Sequence, residues 1–146
     1  LFRSLLVLTV QGASAGSARL VPGLAAFDPA QRDNPAACRM GQPGAFLITP
    51  LARKNPNYVG VPCAYRTVAE EYVPGQCGYR YDAVGGLSWG IPYCVGVMAL
   101  GWQVAPALTN EEMLQTLLDT AAPNADGLRI IDPVHFIETL EREYAS

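Results

Sequence analysis

Apolar residues are spaced in four different ways along this chain, and each spacing predicts a different element. Near the start, Leu5, Leu6, Val7, Leu8 and Val10 form a short run behind Arg3, and Ala13, Ser14 and Ala15 then supply the small-residue pattern of a processing site. Such a run is far below the roughly 20 residues that a bilayer span needs. Residues 1–18 therefore read as a targeting remnant or an apolar docking segment. Residues 19–82 show no sustained period. Eight prolines fall between Pro22 and Pro74, and each removes a backbone donor and drives its predecessor out of the helical region, so no long helix fits. The expectation is a Pro/Gly-rich extended arm, with a strand-length apolar piece at residues 44–49 behind a turn at residues 41–44.

From residue 83 to residue 110 there are 28 positions without one charged side chain. This stretch predicts an apolar helix within residues 83–107, started by Pro92 and ended by Pro106. Two readings of it stand side by side. In one it is embedded in a membrane, with Trp89 and Trp102 near the two interfaces and Gly90 and Gly96 offering small contact surfaces to a neighbouring helix. In the other it is a buried helix of a globular domain. About 15 regular residues at 1.5 Å each are short for a hydrocarbon core near 30 Å.

Residues 108–146 carry the clearest helical period. Thr109 and Glu112 have capping-box spacing, Met113, Leu114, Leu117, Leu118 and Ala121 mark one face, and Pro123 closes the helix. Asp132 caps a second helix with Pro133 at its first position and Val134, Ile137, Leu140 and Tyr144 expected inward. The fold class that follows is mostly irregular and α: an extended arm, one apolar helix and a C-terminal helix-loop-helix.

Composition narrows the functions. Of 146 residues, 50% are hydrophobic and 16% charged, which excludes general disorder. A net charge of -3 with a single lysine, Lys54, leaves no basic stripe to follow phosphates, so nucleic acid is not an expected partner. Charge is distributed unevenly. Residues 1–82 carry +3 and residues 111–146 carry -6, on either side of the neutral run. Opposite sides of a membrane, or two separate partner surfaces, would each produce that pattern.

Residues 58–85 repeat at a spacing of 14, matching Tyr58 with Tyr72, Cys63 with Cys77, Tyr65 with Tyr79 and Arg66 with Arg80. Two equivalent loops or strands presenting Tyr-Arg pairs for partner contact are the expectation. Four cysteines, none in C-x-x-C spacing, give no zinc or thioredoxin pattern. A Cys63–Cys77 disulfide would close a loop of about 15 residues and stabilise by roughly 3 kcal/mol. Gly86, Ser88 and Gly90 match G-x-S-x-G, and Asp119, Asp126 or Asp132 followed by His135 gives the Ser, Asp, His order of α/β-hydrolases. The context departs from that motif: glycines replace the expected strand, Pro92 follows too closely, and no oxyanion loop of HGGG type exists. On this reading no residue is assigned a catalytic role.

Residues 108–141, with Asp126, Gly127, Ile131, Asp132 and Phe136, resemble the last EF-hand of calmodulin-type proteins. If Ile131 takes the central hydrophobic position, the ligand places fall on Asn124, Asp126, Leu128 and His135, with Arg129 where glycine is required; if Gly127 is aligned instead, the twelfth position becomes Pro133. Calcium needs a bidentate Glu at that position. The resemblance therefore implies a helix-loop-helix scaffold for protein contact and no calcium or other metal.

Together these features point to a non-catalytic accessory subunit of a larger membrane complex, such as a photosynthetic or respiratory assembly. It would lie in an organellar inner, thylakoid-type or bacterial inner membrane, with protein subunits and lipid as partners. It would hold no cofactor of its own, and pigment or lipid contact would come through the complex. The alternative is a secreted or lumenal binding domain stabilised by disulfides.

Overall fold

The computed structural model describes residues 21–26, 28–40, 56–82 and 86–144. Residues 1–18 and the strand-length piece at residues 44–49 lie outside these. The architecture is mixed α/β, which corrects the expectation of an irregular, mainly helical chain. Five strands form one sheet in the order β2-β1-β3-β7-β6: β1 (Val21–Ala26), β2 (Arg39–Met40), β3 (Tyr58–Ala64), β6 (Ala122–Pro123) and β7 (Arg129–Ile130). The central strands β1, β3 and β7 are parallel, and the outer pairs are antiparallel. A separate hairpin joins β4 (Arg66–Val73) to β5 (Gln76–Asp82).

The prolines leave room for one 3-10 turn, Pro35–Ala37, and for strands, but for no long helix among the described residues. Pro62 stands opposite Ala25, and the β1–β3 register shifts immediately beyond it, so the missing donor falls at an irregularity of the ladder. All seven residues of β3 are buried. This is how a parallel strand covered on both faces reads in sequence: a continuous apolar run without alternation. Val59 and Val61 join the main core, while Tyr58 packs with Ala25, Cys38, Leu128 and Ile130 in a second cluster. Gly60 permits the pairing with β7. A Cβ there would lie 2.5 Å from Ile130 Cδ1.

Helix α1 (Leu87–Val104) begins five residues before Pro92, which sits inside it. Gly90, Cys94, Val97, Met98, Gly101 and Ala105 are buried, and Gly101 lets two neighbouring elements approach closely. Those neighbours are α2 (Asn110–Asp119) and α3 (Pro133–Tyr144). A Cβ on Gly101 would stand 2.6 Å from Met113 Sδ and 2.7 Å from the Phe136 ring. No helix among the described residues is long and apolar enough to cross a membrane. The transmembrane expectation fails for a physical reason: the charge-free run is apolar because a sheet and two helices pack against it. Trp102 is not an interfacial anchor either, since its Nε1 donates to Leu108 O at 3.1 Å and fastens the end of α1 to the next turn.

The C-terminal capping box is present. The Thr109 hydroxyl accepts from Glu112 N, and Glu112 Oε2 accepts from Thr109 N at 2.8 Å. Met113, Leu114, Leu117, Leu118 and Ala121 are all buried. Asp132 caps α3 by accepting from His135 N at 3.0 Å. The inward face of α3 differs from the expected one: Phe136, Thr139 and Leu140 are buried, whereas Val134 and Tyr144 are exposed, because α3 lies across α1 at Gly101. Between α2 and α3 the chain forms the β6–β7 hairpin. Its turn is held by Asn124 Oδ1, which accepts from Asp126 N and Leu128 N, while Asn124 Nδ2 donates to Cys38 O. Among the described residues no group of three or more His, Cys, Asp or Glu is placed to hold a metal ion.

All four cysteines are free, so the Cys63–Cys77 disulfide is also corrected. Cys63 is sealed inside β3 and Cys77 lies exposed on the hairpin. Burial pushes the Cys38 thiol up from 9.0 to about 11, with help from the Asp28 charge, and the Cys94 thiol to about 12.

Three outcomes follow from this packing. Gly101→Ala overpacks the α1–α2–α3 contact and should cost about 1–3 kcal/mol, whereas Gly96→Ala, with open space around it, should be neutral or stabilise by up to about 1 kcal/mol; urea unfolding of the two variants reads the contrast. Iodoacetamide at pH 8 without reductant should modify Cys77 in the folded protein and all four thiols after denaturation, as peptide mapping will show. Unfolded thiols ionise above pH 9 while buried Cys38 and Cys94 keep their protons. Stability should thus be full below pH 9 and fall by about 1.4 kcal/mol per pH unit per thiol towards pH 11–12, measured by the urea midpoint.

Candidate functional site

The end of β3 and the first turn of α1 meet at one place. Gly86, the N-cap residue of α1, has extended backbone and supplies no side-chain cap. Its carbonyl accepts from Trp89 N at 3.0 Å and from Gly90 N at 3.1 Å. Gly90 packs over Val61, where a Cβ would find ordinary contact at 3.7 Å. The small residue therefore sets the first turn against β3. Ser88 lies between these two glycines and is exposed.

Pro92 has a consequence here. Lacking an N–H, it cannot donate to the Ser88 carbonyl four residues before it, which sets the first turn apart from the regular ladder that follows. The first N–H groups of any helix have no intrahelical acceptor, and no side chain caps these. Trp89 N is already bound to Gly86 O, so the first-turn donors next to the Ser88 side chain are the amides of Leu87 and Ser88 itself, with the positive end of an 18-residue helix behind them. Such donors stabilise an oxyanion when they are already in place before charge develops.

The hairpin closes the other side. Tyr65 takes the left-handed conformation, φ 56°, and turns the chain out of β3 into β4. Its ring stands 6.4 Å from that of Tyr81. Directly after this turn Arg66 lays its guanidinium over Trp89, 4.5 Å from the ring centroid. The Cys63 thiol, within 3.8 Å of Ala25 O, is raised by burial and pulled partly back by the Gly86 backbone and the Arg66 charge. Cys63, Gly86, Arg66 and Trp89 therefore surround the base of α1.

The two copies of the 58–85 repeat are not equivalent. The first crosses from the buried strand β3 into β4; the second turns within the exposed hairpin. Tyr58 is buried and Tyr72 exposed; Tyr65 is half-buried and Tyr79 exposed. Arg66 stacks on Trp89, whereas Arg80 pairs with Glu70 at 2.8 Å. The Tyr72 hydroxyl donates to Tyr79 O at 3.2 Å, over Gly78, where a Cβ would meet the Tyr72 ring at 2.5 Å. Gly96 is exposed on the outer face of α1, and a Cβ there would meet nothing within 4 Å among the described residues.

His135 is not brought to Ser88. Its Nδ1 lies 3.0 Å from Thr120 O, at the C-terminal end of α2. A hollow of about 460 Å³ lies near the start of α3, between Arg32, Asp33, Cys38, Tyr93, Asp132 and Val134, and Ser88 does not line it. Spacing alone indicated Ser88. The Arg66–Trp89 contact left no trace in sequence, because it joins residues 23 positions apart through a backbone turn at Tyr65.

No protein-family model matches the chain, and no curated protein matches it in sequence. Among solved structures, it is similar in fold to an entity described as proteases from Pseudoalteromonas arctica PAMC 21717, at a TM-score of 0.52 and 18% identity. The similarity covers 87% of this chain and 38% of that one, so the chain spans well under half the length of the protein that it matches. At this identity the likeness is one of fold.

Proposed function

We propose that this chain carries the nucleophile of a serine peptidase, and that the nucleophile is Ser88. One observation carries the reading: an exposed serine in an uncapped first turn, at the end of a buried parallel strand, with the helix dipole behind it. The protease likeness in fold supports it. In the reaction, Ser88 Oγ adds to the scissile carbonyl as its proton passes to a base. First-turn amides of α1 hold the oxyanion, the base returns the proton to the leaving amine, and water then hydrolyses the acyl-enzyme.

The base is not His135, the single histidine of these 146 residues. It and its orienting carboxylate are assigned to polypeptide outside this sequence. In two of the three well-known chain orders of the triad, both of those residues precede the serine. A second reading, a binding domain of the same fold without catalysis, is favoured by the engagement of His135 with Thr120. The membrane-subunit reading set residues 83–107 in or against a membrane; no helix among the described residues is long and apolar enough to cross one, and α1 packs against the sheet and two helices, so the peptidase reading is preferred.

The whole protein containing this sequence should react with a fluorophosphonate probe, and peptide mapping should place the adduct on Ser88. Ser88→Ala should abolish labelling and lower peptide hydrolysis by about 10⁴-fold or more. Hydrolysis that survives Ser88→Ala overturns the assignment; a folded protein that neither labels nor hydrolyses any peptide supports the binding domain instead.

A further inference from the structure

We infer that Arg66, stacked on Trp89 beside Ser88, selects substrates that present a carboxylate close to the scissile bond. This rests on the peptidase reading of Ser88 and names its substrate class.

The argument begins with an electrostatic mismatch. A cation is favoured at the C-terminal end of a helix and disfavoured at the N-terminal end, yet Arg66 lies over the ring of the third residue of α1. Among the described residues, the ion pairs Arg80–Glu70 and Arg142–Glu143 do not involve Arg66. Its Nε is buried and has no hydrogen-bond partner among the described residues. A buried N–H without an acceptor is a standing cost, and an arriving acceptor removes it.

Geometry specifies that acceptor. A guanidinium whose face is occupied by an indole offers its edge, and the edge of Arg matches a carboxylate through two parallel N–H···O bonds. Trp89 adjoins Ser88 in the chain, so the guanidinium lies over the same first turn of α1 as the nucleophile, where a substrate residue near the bond under attack can reach it. Arg66 as a whole is half-buried rather than sealed, which leaves a route for the ligand. The backbone holds it there: Tyr65 at φ 56° fixes the exit from β3, and Arg66 is the next residue. Either an acidic side chain or a free C-terminus would supply this carboxylate.

The test uses the whole protein and three sets of quenched-fluorescence peptides: amidated with Glu near the cleaved bond, amidated with Gln at the same position, and Gln peptides with a free C-terminus. The expected result is a kcat/KM ratio of about 10 or more for one carboxylate-bearing set over the amidated Gln set. Arg66→Met should bring that ratio to about 1, and Arg66→Lys, which keeps charge but not the fork, should leave an intermediate ratio. The ratio is internal to each variant, and fluorophosphonate labelling of Ser88 reports that the variant is folded. Asp82 is the cross-strand register partner of Arg66, so Asp82→Asn is made in parallel and should leave the ratio unchanged. Equal rates on all three sets with Ser88 still labelled, a ratio that survives Arg66→Met, or a preference that emerges only with Asp82→Asn each overturns the inference while leaving the peptidase reading intact. Absence of both labelling and cleavage overturns the two together.

Discussion

Strand β3 has no polar face, and that single fact sets the layers of this protein. A strand buried on both sides must be paired along both edges and covered above and below. β1 and β7 supply the edges, α1 covers one side through Val59 and Val61, and the Tyr58 cluster closes the other. The close approaches are made by glycines that have no room for a methyl group: Gly60 against Ile130, and Gly101 against Met113 and Phe136. Burial that stabilises at about 25 cal/mol per Å² of apolar surface is realised only where the packing is this dense.

The placement of Ser88 follows from the same layering. The helix that follows the β4–β5 hairpin packs its first turn on β3, with Gly90 over Val61, and covers the sheet from there. In parallel α/β sheets the C-terminal end of the strands is where ligands bind, because helix N-termini and loops gather there. The proposed chemistry uses what the layering has already put in place, namely the start of a helix without a side-chain cap, its dipole and an exposed hydroxyl. Arg66 reaches Trp89 through a backbone turn at Tyr65 that a bulky residue rarely adopts.

Where the sequence was legible, the signal was local. The capping box at Thr109 and Glu112, the buried face of α2 and the Asp132-Pro133 start of α3 depend on contacts within four residues, and each appears as read. Among the described residues between 22 and 74, the prolines rightly excluded long helices. They did not distinguish an arm from strands, since Pro62 is accommodated at a register shift supplied by β1. The G-x-S-x-G spacing drew attention to Ser88, but a helix containing Pro92 conflicted with the template it was compared with.

Everything that needed partners far along the chain was decided by tertiary structure. An apolar, charge-free run looks the same whether lipid or protein surrounds it, because both offer an environment without hydrogen bonds to side chains. Only the sheet beneath α1 and the helices beside it separate the two. The 14-residue repeat was real as letters and unequal as surface: one copy begins inside β3, where Tyr58 and Cys63 are buried, and the other turns in solvent. Cysteine spacing likewise says nothing of direction, and Cys63 faces the core while Cys77 does not. By itself, the sequence determined which segments are helical at the C-terminus, where their caps lie and which serine is set between glycines. The tertiary structure decided that β3 is central, that α1 packs against protein and that Arg66 stands over Trp89, because each of these rests on contacts between residues that no local spacing relates.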